Sequence, residues 1–203
     1  MSELLPLQPS IPNLDYIPDF LPEDLSKRLY QNLLEGVEWI QPKLKLFGRG
    51  VRTPRLVGFM ADAGVTYQYS GYRHSGQTWS EEILALKQQL EVRCKTDFNT
   101  ALFNCYRDGR DYMGWHSDNE AELGNKPCVA SVSLGVMRDF KIRNKQTGCT
   151  FCLPLDRGSL LFMGVGFQDE WQHALPKRLG VKEPRINITF RNVVSWPNIS
   201  AAQ

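Results

Sequence analysis

Histidine is scarce in this chain of 203 residues, with only His74, His116 and His173 to supply imidazole chemistry. Long apolar runs are missing too. None approaches the roughly 20 residues of a membrane span, so no membrane partner is expected. The opening MSELLPLQPSIPNLDYIPDF lacks a basic stretch followed by an apolar block, and no secretory leader is expected there. Cysteines number five, an odd count without framework spacing, which points to reduced thiols in a cytosolic setting. Cys149 and Cys152 form a C-x-x-C within TGCTFCLPL. That stretch reads as a strand, where residues three apart face opposite sides. Neither a second cysteine pair nor a nearby histidine completes a zinc site. Excess charge is also small. At a net +2, affinity for nucleic acid must come from local basic patches rather than the global field.

A hydrophobic fraction of 42% and a charged fraction of 23% suit one globular domain with a substantial core. The first twenty residues, rich in Pro and Leu, read as a surface arm. LPEDLSKRLYQNLLEGVEW reads as a helix, with an acidic first turn and Leu25, Leu29, Leu33 and Leu34 at helical spacing. A second helix is expected in SEEILALKQQLEVRC, capped by Ser80 and carrying Ile83, Leu84, Leu86 and Leu90. After Thr96 the texture changes to short strand-like runs: FNTALFNCY, CVASVSLG, RDFKIRN, CTFCLPL, GSLLFMG, WQHAL and RINITFRNVV. The expectation is an α+β unit with a barrel or double-sheet jelly-roll core. An arm, helices and a recognition segment would occupy about 1–95, and the core about 96–195.

RINITFR raises a specific question. Ile186, Ile188 and Phe190 share one face of the strand, while Arg185, Asn187, Thr189 and Arg191 share the other. Two guanidiniums on a buried face would need anions to compensate them. WHSDNE places His116 and Asp118 two apart, so both leave a strand end on one side. With His173, in EWQHALP, they would complete a 2-His-1-carboxylate facial triad, typical of non-heme Fe(II) oxygenases, with positions open for a chelating cosubstrate and O2. Alone, H-x-D is also what a turn-capping Asp beside an ordinary loop His gives. The order of H-x-D, then a late His, then RINITFR favours the metal site. Arg185 would suit an anionic cosubstrate by bidentate pairing. Arg191, farther along the strand, would meet a different anion, Asp118 among the candidates. Asn104 and Tyr106, in FNCY, share a face and add an amide and a phenol to the interior. His74 has no matching carboxylate and is expected to be exposed.

N-x-Y, H-x-D-x-E, a late His and R-x-N-x-T-F-R occur in that order between Asn104 and Arg191. In this the sequence resembles the AlkB-type Fe(II)/2-oxoglutarate-dependent dioxygenases, which dealkylate nucleic acids. Weaker similarity in LFGRG and DAGVTYQYSG extends the likeness to the subgroup that repairs duplex DNA. The resemblance implies a double-stranded β-helix core with a nucleotide-recognition lid. It implies Fe(II) held by His116, Asp118 and His173. It also implies 2-oxoglutarate held by Asn104, Tyr106, Arg185, Thr189 and Arg191, with Asn187 supporting that wall. The implied chemistry couples oxidative decarboxylation of 2-oxoglutarate to hydroxylation of an alkyl carbon on a base nitrogen, with release of formaldehyde.

KLKLFGRGVRTPR carries Lys43, Lys45, Arg49, Arg52 and Arg55 with no acidic residue, a run that can follow phosphates. By resemblance, Phe47 beside Gly48 would be the apolar finger that fills the gap left by a flipped base; a buried Phe under a basic hairpin is the alternative. Tyr67 and Tyr69 match family positions that contact the damaged base, where an aromatic face attracts a cationic N-methylated ring. Asn119 and Glu120 follow Asp118 directly, at the pocket mouth. Two departures from the duplex-repair pattern stand out: Asn119 replaces a usual acid, and Tyr69 a frequent Phe. DNA is the expected partner, with RNA as competitor, acted on by a monomer in the cytoplasm, the nucleoid or the nucleus according to source. A hydroxylase of proteins or small molecules, or a non-catalytic nucleic-acid binder, are the rival readings.

Overall fold

The computed structural model describes residues 11–46, 49–69, 72–75 and 77–194, with side chains at all of these except 44–46, 49, 66–69 and 72–75. The N-terminal half contains β1 (Leu14–Ile17), α1 (Glu23–Gly36), β2 (Lys43–Leu46), β3 (Arg49–Arg52), β4 (Leu56–Ala61), β5 (Thr66–Tyr69), β6 (Tyr72–Ser75) and α2 (Glu81–Cys94). Then come β7 (Thr100–Tyr106), β8 (Met113–His116), β9 (Val129–Gly135), β10 (Arg138–Asn144), β11 (Thr150–Leu155) and β12 (Leu160–Met163). A short helix α3 (Phe167–Glu170), β13 (Trp171–Leu175) and β14 (Arg185–Arg191) complete the described order.

A six-stranded sheet, β1-β12-β9-β14-β7-β4, faces a four-stranded sheet, β11-β10-β13-β8. Two hairpins, β2–β3 and β5–β6, stand apart from them. All pairings within the two large sheets are antiparallel. The result is the double-sheet jelly roll expected from the strand rhythm. The large sheet recruits β1 and β4 from the N-terminal half, so the core does not begin near residue 96. Part of the expected surface arm is an edge strand, with Leu14 opposite Met163 and Ile17 opposite Leu160.

The period-2 reading of β14 explains why this strand sits centrally. Ile186, Ile188 and Phe190 are fully buried against α1 and α2, in a cluster with Leu29, Leu33, Ile83, Leu86 and Leu90. Burial of each such side chain contributes about 1.5–3 kcal/mol. Both helices form where their spacing places them. The Ser80 side chain accepts the Ile83 N–H at 3.4 Å, which caps α2. Leu84 is the exception to the expected stripe and is 37% exposed. The other face of β14 is buried as well, because the four-stranded sheet closes over it with Phe140, Ile142, Leu155, Trp171 and Leu175. Polar side chains in RINITFR therefore sit between two sheets, not in water.

Candidate metal centre

In the four-stranded sheet β8 and β13 are antiparallel neighbours, and His173 lies opposite His116. That register turns both imidazoles toward the inter-sheet space, with ring centroids 4.3 Å apart at 71°. Asp118 follows just past the end of β8. Its backbone N–H donates to Gln168 Oε1 on α3 at 2.9 Å, and its side chain is 1% exposed. One ligand atom from each of His116, Asp118 and His173 lies within 4.8 Å of the others.

Protonation follows from the hydrogen bonds. His116 Nδ1 lies 2.8 Å from the Gly114 carbonyl oxygen, which only a protonated Nδ1 satisfies. Its Nε2 then presents a lone pair, 3.7 Å from Asp118 Oδ1. Among the described residues, Asp118 Oδ1 and both nitrogens of His173 are buried without a hydrogen-bond partner. An unsatisfied buried polar atom costs about 1–3 kcal/mol, and each residue of the triad can offer one ligand atom close to the other two. Burial drives the His173 imidazole down to about 3 and lowers His116 too. Burial alone would raise the Asp118 carboxyl, yet Arg191 and the neighbouring imidazoles hold it well below the usual carboxylate range. Two neutral imidazoles and a carboxylate are the charge states that metal ligation requires. The donor set fits a ferrous ion bound on one face.

The two arginines of RINITFR meet different fates. Arg191 Nη2 donates to Asp118 Oδ2 at 2.7 Å and Nε to the same oxygen at 3.3 Å, in a pair that is almost fully buried. Arg191 Nη1 donates to Thr189 Oγ1 at 3.0 Å. Arg185 is 1% exposed and pairs with no acid among the described residues. Its Nη2 donates to Ser133 Oγ at 2.9 Å, its guanidinium carbon lies 5.6 Å from the centre of the Tyr106 ring, and its Nε lacks a partner. Burial lowers this guanidinium to about 10. A buried cation without its anion is a costly arrangement, and it marks a seat for an anionic group.

One cavity is lined by the triad together with Asn104, Tyr106, Arg185, Asn187, Thr189 and Arg191. The register explains this meeting, since Arg185 lies opposite Tyr106 and Asn187 opposite Asn104. Asn187 Nδ2 donates to Ser131 Oγ at 2.8 Å, and Thr189 Oγ1 donates to the Leu102 carbonyl at 3.1 Å. Arg55 departs from its expected place on a basic surface run. It is 3% exposed, and its Nε donates to Asn104 Oδ1 at 2.7 Å. The chain leaves the β2–β3 hairpin at Pro54 and enters β4, which carries Arg55 inward. Asn119 is exposed and Glu120 partly so. Arg49 opens β3, Tyr67 and Tyr69 lie on β5 and His74 on β6, but their side chains, like all of Phe47 and Gly48, fall outside the described residues. Cys149 and Cys152 are both exposed, and Cys149 lies just before β11 rather than within it.

Sequence reasoning missed several residues that the site uses. Ser131 and Ser133 alternate within an apolar strand, a legible signal of a polar inner face. Gln168 carried none, since only the packing of α3 brings it to the Asp118 backbone.

Comparison with known proteins agrees with this geometry. The profile of the 2OG-Fe(II) oxygenase superfamily matches residues 13–191. DNA oxidative demethylase ALKBH2 of Arabidopsis thaliana is 34% identical over 90% of this chain and 67% of its own length. The human ALKBH2 is 34% identical over 82% of this chain and 68% of its own. The alpha-ketoglutarate-dependent dioxygenase alkB homolog 3 of Bos taurus is 34% identical over 89% and 66%. The chain thus spans about two thirds of the length of these curated relatives. Among solved structures, OsALKBH1 superposes with a TM-score of 0.61 at 18% identity, covering 91% of this chain and all of that one. A Pseudomonas putida prolyl-4-hydroxylase gives 0.60 at 17% identity, over 90% and 94%. These two share the fold. With the profile spanning nearly the whole described chain, and with one ligand atom from each of His116, Asp118 and His173 close to the others, the protein belongs to the 2OG-Fe(II) oxygenase superfamily.

Proposed function

We propose that this protein is a DNA oxidative demethylase that removes alkyl groups from base nitrogens, 1-methyladenine and 3-methylcytosine being the type substrates. The observation that carries this reading is a shared wall. The unsatisfied Asp118 Oδ1 and His173 nitrogens, together with His116, line the cavity that also holds the uncompensated Arg185. In this reading His116, Asp118 and His173 hold Fe(II). Arg185 takes the distal carboxylate of 2-oxoglutarate, while Asn104, Tyr106, Asn187, Thr189 and Arg191 shape its bed. Bound together, Fe(II), 2-oxoglutarate and O2 supply hydroxylation of the alkyl carbon, with succinate, CO2 and finally formaldehyde as products.

The chain's own contribution is to position and to exclude water. Arg191 occupies Asp118 Oδ2 and so reserves Oδ1 for the metal. The Gly114 carbonyl fixes the His116 tautomer. Phe140 stacks on His173 with centroids 5.2 Å apart and planes inclined by 24°, which holds that ring in place. Phe140, Leu155, Met163 and Leu175 make the rest of the lining apolar. A base must leave its stack to reach this depth.

DNA as the substrate is supported by the names of the ALKBH2 relatives and by the hairpin β2–β3, where exposed Lys43 and Arg52 stand opposite each other. Phe47, Gly48 and Arg49, Tyr67 and Tyr69 on β5, and Asn119 and Glu120, which follow Asp118 in sequence, are assigned to the base and its strand. Arg55 is reassigned to support Asn104. RNA is a second substrate in this proposal, and the working unit is a monomer of the compartment that holds the nucleic acid. Among the described residues no helix is long and apolar enough to cross a membrane. Incubation of methylated single- and double-stranded DNA and RNA oligomers with Fe(II), 2-oxoglutarate and O2 tests the reading. The expected result is loss of one CH2 in mass, most readily on DNA. No loss on any oligomer, with 2-oxoglutarate still consumed on other substrates, overturns it.

A further inference from the structure

Arg138 is among the largest fully buried side chains of the molecule at 1% exposure, yet it pairs with no carboxylate among the described residues. Its Nη2 donates to the carbonyls of Asp111 and Pro176 at 2.9 and 2.7 Å, and Nη1 to the carbonyl of Asp108 at 3.2 Å. Its Nε has no partner. The guanidinium carbon lies 5.9 Å from the centre of the Tyr106 ring, the same ring that Arg185 approaches to 5.6 Å. Two buried cations therefore share one phenol. Carbonyl dipoles and a ring face compensate a cation only partly, and the Arg138 charge makes Arg185 harder to keep charged.

We infer that Arg138 is a positioning residue for the dianionic cosubstrate, whose charge acts through Tyr106 and Arg185 to retain the distal carboxylate. The inference rests on the reading of Arg185 and Tyr106 as the cosubstrate wall. Arg138 itself does not line the cavity, so it acts at a distance, in a medium where charges are weakly screened. Such an interaction does not distinguish ground state from transition state. It strengthens the binding of 2-oxoglutarate and of the product succinate alike, because both carry the distal carboxylate, and leaves kcat nearly unchanged.

The test is calorimetric binding of 2-oxoglutarate and of succinate to the Mn(II)-loaded protein, with KM and kcat on a methylated oligomer measured beside it. Arg138→Gln keeps a hydrogen-bonding amide but removes the charge. It is expected to weaken both ligands about ten-fold, in parallel, with kcat and Mn(II) affinity retained. Arg138→Lys keeps the charge with fewer carbonyl bonds, and is expected to bind both ligands nearly as the native protein does despite a lower Tm. Should Arg138→Gln fail to fold, Arg138→Lys decides alone: affinity lost in step with stability overturns the inference. Unchanged ligand binding in Arg138→Gln, beside a large loss in Arg185→Met, also overturns it and leaves the wall standing. Unchanged binding in Arg185→Met as well overturns the wall itself, and with it the inference.

Discussion

The two oxygens of Asp118 have separate duties: Oδ2 takes the Arg191 guanidinium, while Oδ1 faces His116 Nε2 at 3.7 Å. Removing Arg191 strands a buried carboxylate, and breaking a buried pair from one side costs about 3–5 kcal/mol. Arg191→Leu is therefore expected to unfold at markedly lower denaturant concentration in the metal-free protein, read by chemical denaturation. A loss below about 1 kcal/mol would mean that the pair is a solvated contact. Arg55 supports a second prediction at this scale. Its bond to Asn104 Oδ1 ties it to the cosubstrate side, so Arg55→Ala should raise KM for 2-oxoglutarate several-fold and leave KM for the oligomer nearly unchanged. The reverse pattern would return Arg55 to the phosphate-following role that its place in KLKLFGRGVRTPR suggests. A basic run in sequence does not reveal where the chain turns inward, so the burial of Arg55 was not legible there.

Among the elements, β14 shows best what the sequence could reveal. Period 2 in RINITFR separates the apolar from the polar face, and the structure places the first against the helices and the second between the sheets. Asp118 was already among the candidate partners of Arg191, and the structure pairs them. The neighbours of Arg185 were not legible, because only strand register and packing set it beside Tyr106 and Ser133. β4 was missed as a strand. Buried on both faces over five of its six residues, it lacks the alternation that marks a half-exposed strand. Ile188→Ala should cost about 2–5 kcal/mol in unfolding free energy through the cavity left in the helix-facing cluster, with Mn(II) affinity unchanged. Gly135 closes β9 at a φ of +83°, where an added Cβ would lie 2.5 Å from the Pro184 carbonyl oxygen. Gly135→Ala should destabilise by about 1–3 kcal/mol and, by moving the strand next to Arg185, weaken 2-oxoglutarate binding.

For the whole molecule, charge is nearly balanced at +2, so attraction to nucleic acid must be local and screened by salt. Raising the salt concentration should increase KM for a methylated oligomer steeply, while binding of 2-oxoglutarate, assigned to the cavity between the sheets, changes little. Replacing Lys43 and Arg52 by Gln should flatten the oligomer's salt dependence without altering the cosubstrate's affinity. The central claim concerns the joining of two chemistries in one cavity. It is tested most directly by counting succinate and restored base in the same reaction, for the native protein and for His116→Ala. One succinate per restored base, with both products absent in the folded variant, is the result this account predicts. Restored base without succinate, or full turnover in His116→Ala, would contradict it.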